Sequence, residues 1–373
     1  MKAGIRQPVT GWERIAPGDL PALKPAWNDL YDRCATATPF QSHAWITSWW
    51  QRYGGRNDLR VLVLRGDDRL LAALPLMRSH LWGCRVLRPL GTGLSDYTDM
   101  LVDDEHAGTL LPEATRALLR TPGWDVLDFP EVRPGAAVES LHRCWPDRRW
   151  LMTASDCLYM PAMPLEELIA TMGARTAGKL RRTLRRSGSL DLRITTVHPE
   201  QVPAAIDDLL RLHAMQWSGR AINKEHLRPR FRRHLVQSAT ELIATGQAAL
   251  TEFRVGDRLV ASDFCLVGGD FTGGYLYGAD PWLRTRVDTF AMVIQQSLRR
   301  AHERGLRTVS LLRGNEPHKA KWGATAVANQ RVILGRTRRA AAYAAAVSAR
   351  IRAARALKEH FPSVAGAPSR PEQ

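Results

Sequence analysis

The segment VSLLRGNEPHKAKWG, residues 309–323, gathers groups able to act on a carbonyl. An apolar run ends in the tight turn RGNEP and then presents His318, Lys319, Lys321 and Trp322. Strand ends that empty into polar turns are common places for reacting groups. Lys319 can stabilise a developing oxyanion as a fixed positive charge. His318 titrates near neutral pH and can accept a proton, and Glu316 is a second candidate base. On structural grounds alone, Lys319 and Lys321 are solvated charges and Trp322 closes the core.

A second group lies in YLYGADPWLRTRVDTFAMVIQQ, residues 275–296. An apolar run carrying Tyr277 ends at Gly278, and a loop with Arg284 and Arg286 leads into a helix expected from Val287, followed by Asp288 and Thr289. A helix N-terminus flanked by two arginines attracts a phosphate. No glycine stands between Leu283 and Phe290 to let a phosphate approach the backbone. Asp263 interrupts the apolar run ASDFCL, where an unpartnered charge is costly. It reads as the solvent-facing residue of an alternating strand, or as a base near an acceptor. Trp217 ends a strong helical pattern and reads as core packing or as the wall of an acceptor pocket. The motif DYTDM, residues 96–100, with Asp103 and Asp104, would put metal ligands on both faces of a strand, so acceptor contact or a solvated edge is expected instead.

These groups must be positioned by a chain of 373 residues, enough for two domains. Hydrophobic residues make up 45% and charged residues 24%, which excludes a disordered or fibrous protein. Residues 1–155 hold 19 basic and 18 acidic side chains, whereas residues 156–373 hold 34 and 19. The second half therefore carries nearly all of the positive field and would attract polyanions. The five cysteines, Cys34, Cys84, Cys144, Cys157 and Cys265, form no CxxC pair and read as reduced thiols. The first residues lack the apolar core of a signal peptide, and no apolar run reaches the length of a membrane span. A cytoplasmic location is the expectation.

Along the first half, helices are expected at residues 20–34, 42–53 and 106–119. Strands are expected at residues 59–65, 70–78, 84–90, 96–102 and 124–129, the first two as a hairpin. In the second half, helical periodicity marks residues 200–217 and 227–244. Three apolar runs, residues 248–255, 259–267 and 271–278, form a meander, then come a helix to Gly305 and strands at 306–312 and 325–334. This order describes an α+β architecture. Residues 175–186 hold six cations in twelve residues around a ridge of Leu180 and Leu184. A tRNA-contacting helix would look like this, but aromatic residues for base stacking are lacking. Residues 337–358 are expected as a second basic helix with a thin apolar stripe at Tyr343, Val347, Ile351 and Ala354. Peripheral contact with an anionic membrane is one reading of it, packing on the domain the other.

Four segments, in order, carry a family resemblance: PFQSHAWITSWW (39–50), VLVLRGDDRLLAALPLMRS (61–79), DYTDMLV (96–102) and LLRGNEPHKAKWG (311–323). The chain resembles the GNAT-superfamily acetyltransferases of the CelD, cellulose-biosynthesis type, which are related to the FemAB-like aminoacyltransferases. The resemblance implies two tandem GNAT-like domains, an amino-terminal one over residues 1–155 and a catalytic one over 156–336; composition adds a basic helical tail and disordered end at 337–373. It implies acyl transfer from acetyl-CoA or another acyl-CoA, without a metal, to an amine or hydroxyl of a sugar, polysaccharide precursor or small metabolite. It also implies two alternatives: an aminoacyl-tRNA donor, or an inactive GNAT-like binding or assembly protein. Under the resemblance Lys319 is the signature lysine that polarises the donor carbonyl, with Arg313, Gly314 and Glu316 in its turn. Residues 284–289 are then the loop that holds the CoA pyrophosphate. Trp217, Asp263, Tyr277, Arg313 and Trp322 are the expected acceptor contacts. The chain departs from the family pattern at His318, where tyrosine is usual, at Ser310, and in the loop RTRVDT.

Overall fold

The computed structural model describes residues 10–66, 69–188, 190–218, 222–314, 319 and 321–360. In chain order the elements begin β1 (Thr10–Arg14), α1 (Lys24–Asp32), α2 (His43–Tyr53), β2 (Asp58–Leu59), β3 (Leu62–Gly66), β4 (Arg69–Leu74), β5 (Leu76–Leu81) and β6 (Cys84–Pro89). There follow β7 (Leu101–Val102), α3 (Ala107–Arg120), β8 (Val126–Val132), α4 (Ala137–Cys144), β9 (Arg149–Pro161), α5 (Leu165–Ala170), α6 (Ala174–Gly188) and β10 (Leu192–Thr196). The rest are α7 (Val202–Gln216), α8 (Pro229–Ala244), β11 (Ala248–Val255), β12 (Arg258–Gly268), β13 (Phe271–Ala279), α9 (Pro281–Arg284), α10 (Thr289–Glu303), β14 (Thr308–Arg313), β15 (Thr325–Gly335) and α11 (Arg339–His360). The described chain divides into two units, one of residues 10–155 and 328–360, the other of 156–327. No helix among the described residues is long and apolar enough to cross a membrane.

In the first unit, β1, β3, β4 and β7 form one antiparallel sheet. A mixed sheet runs β15, β8, β6, β5, β2, with β6 and β8 parallel. The run at residues 70–78 is broken in two because Pro75 has no N–H for a ladder: β4 ends before it and β5 joins the other sheet. Leu74, Leu87, Met100, Leu118, Trp124, Phe129, and Val138 share one buried core. Helix α11, set apart in the sequence as a tail, packs Ala340, Tyr343, Ala344 and Val347 against Val86, Val126 and Ile333. Its apolar stripe is thus spent inside this unit.

Residues 96–100 do not extend the strand expected there; only Leu101–Val102 pairs. The reason is local polar chemistry. The Asp99 carboxylate accepts from the N–H groups of Met100, Ala137 and Val138 and from the Thr36 hydroxyl. Gln41 donates to the Tyr97 carbonyl, and the Thr98 N–H goes to the Glu131 carbonyl. A segment whose peptides are satisfied this way has no need of a ladder. Asp96 and Asp99 are buried, so this is not the solvated edge the alternation suggested.

In the second unit the strand order is β10, β11, β12, β13, β14, and then the distal end of β9. Every neighbouring pair is antiparallel except β13 and β14. Helix α7 lies on one face of β13 and α10 on the other, since Gly278 meets His213 of α7 while its neighbour Tyr277 meets Phe290 of α10. Gly278 is required by this contact: a Cβ there would sit 2.4 Å from the His213 backbone nitrogen. Gly278→Ala is therefore expected to cost roughly 1–3 kcal/mol through overpacking. The check is a lowered urea midpoint at constant slope. The helix expected over 227–244 starts only at Pro229, and Leu227 is exposed because it belongs to the preceding 3₁₀ turn.

Candidate functional site

The parallel ladder between β13 and β14 is short. It joins Phe271 to Thr308, Thr272 to Val309 and Gly273 to Ser310, and then stops. Beyond that point the strands have different partners. On β13, the Asp280 N–H bonds the Val260 carbonyl at 2.9 Å. Counting back along an antiparallel ladder, the row of Asp263 and Tyr277 then turns its peptide groups away from each other. The Tyr277 carbonyl thus faces the β14 side. On β14, the Gly314 N–H bonds the Asp156 carbonyl at 3.0 Å, so Arg313, opposite Cys157, turns its peptide groups away from β9 and toward β13. A bulge between Ser310 and Arg313 bends the strand, with Leu312 at φ +53° and Gly314 at φ +110°. Past the third row the two strands no longer pair, and the carbonyls of Tyr277 and Arg313 both lie on the side of this break, the candidate cleft.

Both carbonyls are held by side chains. The Lys319 ammonium donates to the carbonyls of Leu311 and Arg313 at 3.0 Å each and to Gly314 at 3.5 Å. It is buried. Opposite, His213 Nδ1–H donates to the Tyr277 carbonyl at 2.9 Å. A carbonyl only accepts, so Nδ1 carries the proton and Nε2 keeps its lone pair. That lone pair accepts from His226 Nδ1–H at 3.2 Å. His226 Nε2 in turn accepts from the Asn223 amide at 3.3 Å, whose oxygen is fixed by the Glu225 N–H at 3.0 Å. One carbonyl therefore dictates the direction of a four-link chain. Burial pushes the pKa of His213 down, and burial together with His213 pushes His226 down to about 3, so both imidazoles stay neutral.

No local spacing signals this pair. His213 and His226 stand thirteen apart.

The other expected site residues scatter. Trp322 is buried in the core with Leu158, Ile294, Val309 and Leu311, so it is not exposed to an acceptor. Asp263 is 0% exposed and lies beneath α10, which corrects the solvent-face reading. A second layer covers the alternating strand: the Cys265 thiol donates to Asp263 at 2.8 Å, and Arg300 of α10 stands nearby, bonded to the Thr251 hydroxyl at 2.8 Å. Burial raises Asp263 to about 6 against the pull of Arg300. Trp217 closes the C-terminal end of α7, its ring 6.2 Å from that of His213. His318 and Glu316 fall outside the described residues.

The 284–289 loop is built differently from a bare phosphate cradle. Helix α10 starts at Thr289, and Asp288 caps it by accepting from the N–H groups of Phe290 and Ala291 at 3.2 Å. An anion at this N-terminus must compete with that carboxylate. Arg284 donates to the Gln216 carbonyl at 2.9 Å, Arg286 stacks on Trp282 at 4.2 Å, and Val287 is buried.

Residues 174–320, which contain the cleft, match the family model of the acetyltransferase (GNAT) domain. Among solved structures, FemX is similar with a TM-score of 0.57 at 10% identity, over 87% of this chain and 97% of that one. A conserved protein of unknown function from Bacteroides thetaiotaomicron gives 0.55 at 12% identity, over 87% and 99%. The C-terminal domain of a putative lysylphosphatidylglycerol synthetase from Agrobacterium fabrum gives 0.52 at 11% identity, over 87% and 94%. At such identities the likeness is one of fold. The fold is α+β and GNAT-like, with mixed sheets flanked by helices. No curated protein matches the sequence.

Proposed function

We propose that the cleft between β13 and β14 holds a thioester donor, acetyl-CoA or another acyl-CoA, and passes its acyl group to an amine or hydroxyl. The acceptor class is a sugar, a polysaccharide precursor or a small metabolite. One observation carries the reading: within the GNAT-matched segment, a parallel ladder ends after three rows although both strands run on. A slot between strand edges suits an extended chain of amides such as pantetheine, which can lie along it like a strand.

In this reading the acceptor's nitrogen or oxygen attacks the thioester carbonyl, and the thiolate leaves with the proton the nucleophile gives up. Lys319 gives up its 3.5 Å bond to Gly314 and turns that N–H to the developing oxyanion, while its two 3.0 Å bonds keep the turn in place. Arg284 and Arg286 meet the donor's phosphates from the solvent side of the Asp288 cap. Asp263 is too deeply buried to reach an acceptor, so it is no base in this scheme.

The test is titration calorimetry of the full chain with acetyl-CoA. One-site binding that weakens in Arg284→Ala/Arg286→Ala and with added salt is expected. Absence of heat would overturn the donor assignment.

The second reading, an aminoacyl-tRNA donor, is favoured by α6. Its Arg175, Lys179, Arg182 and Arg185 are exposed, and Arg181 pairs with Glu166 at 3.6 Å. A gel shift with tRNA in place of acetyl-CoA heat would select it. Neither signal would point to a binding or assembly role.

A further inference from the structure

We propose that His213 and Lys319 are paired edge caps that hold the cleft open before any donor arrives, and that His226 and Asn223 serve to orient the His213 cap. The functional meaning of an open cleft rests on the acyl-donor reading; the capping itself does not.

Two neighbouring strands that begin in register normally continue their ladder, because an edge peptide left without partners is costly when buried. Here β13 and β14 stop after Gly273 and Ser310 although both run on, to Ala279 and Arg313. The facing carbonyls are those of Tyr277 and Arg313, and each is already accepting from a side chain: from His213 Nδ1 at 2.9 Å and from Lys319 Nζ at 3.0 Å. A side-chain donor on each carbonyl competes with the ladder N–H that would otherwise bond it. The caps come from opposite sides of the break. His213 is anchored in α7, which Gly278 lets lie directly on β13, and Lys319 follows β14 in the chain.

The histidine chain explains why a histidine serves on the β13 side. A protonated or reversed imidazole at position 213 would lose a bond at one end of the chain. His226 holds Nε2 as an acceptor, and Asn223, locked by the Glu225 N–H, holds His226. The cap is thereby kept in its Nδ1–H form, the only neutral form that can donate to Tyr277. His213, His226 and Asn223 are positioning residues in this account; none need touch the donor.

The account predicts an effect opposite in sign to that of ordinary destabilisation. Hydrogen exchange is followed in the full-length protein, without donor, over residues 275–279 and 311–313. His213→Leu and, independently, Lys319→Met are expected to slow exchange there by about tenfold, as the edges close onto each other. His213→Gln, which retains an N–H donor, is expected to restore the wild-type rates. Where wild type binds acetyl-CoA, His213→Leu is expected to bind it about tenfold more weakly, the equivalent of one hydrogen bond. Because the two caps lie on different elements, loss of folding in one variant leaves the other to decide. Unchanged or faster exchange in the folded variants overturns the capping proposal. Slower exchange supports it even where wild type binds no acetyl-CoA, a result that would overturn the donor reading alone.

Discussion

Asp99→Ala is expected to destabilise the first unit by ~3–5 kcal/mol, the cost of leaving several buried donors without an acceptor. The carboxylate is buried, and both oxygens are used. One accepts from Met100 at 2.9 Å and Val138 at 3.0 Å, the other from Ala137 at 3.0 Å and Thr36 at 3.3 Å. Ala137 and Val138 open α4, so Asp99 is a helix cap delivered from a distant part of the chain. Alanine strands three backbone N–H groups and a hydroxyl at once. Asp99→Asn keeps one acceptor oxygen but aims an N–H₂ group at Ala137, where two donors then face each other. An intermediate loss is expected. Urea midpoints of the three proteins at constant slope give the order. Equal midpoints for wild type and Asp99→Ala would show that α4 is capped by other groups.

Much of the architecture was legible because its signals are local. The three runs from 248 to 278 did become the meander β11, β12 and β13, and residues 202–216 became the helix α7 that their periodicity announced. DYTDM was misread for an equally physical reason. Alternation of polar and apolar types looks like a strand, but Asp99 draws backbone donors to itself from other segments, and that competition is invisible in a window of seven residues. Pro75 is a local signal for the break between β4 and β5: a residue with no N–H inside an apolar run divides it.

Part of the candidate site stands out in the sequence. Lys319 and the turn at 313–314 stood out by residue type, and the structure puts them at the strand break. What could not be read was the direction in which Lys319 points. A lysine that follows a polar turn is usually solvated, and only the bulge at Leu312 curls three carbonyls toward it. His213 and His226 carry no mutual spacing signal because α7 and the 3₁₀ turn after it meet through tertiary packing. Trp322 shows the converse. Its neighbours His318, Lys319 and Lys321 lent it functional colour, yet its bulk is used to close the core under α10.

Asp263 provides a strong pH signal in the second unit. Its carboxyl is wholly buried, and burial lifts its pKa from an ordinary value to about 6, against the opposing field of Arg300 and the thiol donated by Cys265. A raised acid pKa means that the folded state holds its proton more tightly than the unfolded chain does. The stabilising contribution is therefore complete below about pH 4, the unfolded value, and is lost as pH rises toward the folded value of about 6. Above that it stays lost. A shift of about two units corresponds to ~3 kcal/mol. Asp99 also titrates near 6, in the first unit, and His226, held down to about 3, changes stability in the opposite sense, so the wild-type curve alone mixes several groups. Comparison with Asp263→Asn isolates one. Asparagine keeps the shape and has no charge to gain, so the difference in unfolding free energy, variant minus wild type, is expected to rise by ~3 kcal/mol between pH 4 and pH 7. Its absolute sign at pH 4 depends on what the amide does to Arg300 and Cys265; its slope does not. A difference that is flat across this window would mean that Asp263 is ionised throughout, held by Arg300 more firmly than its burial opposes.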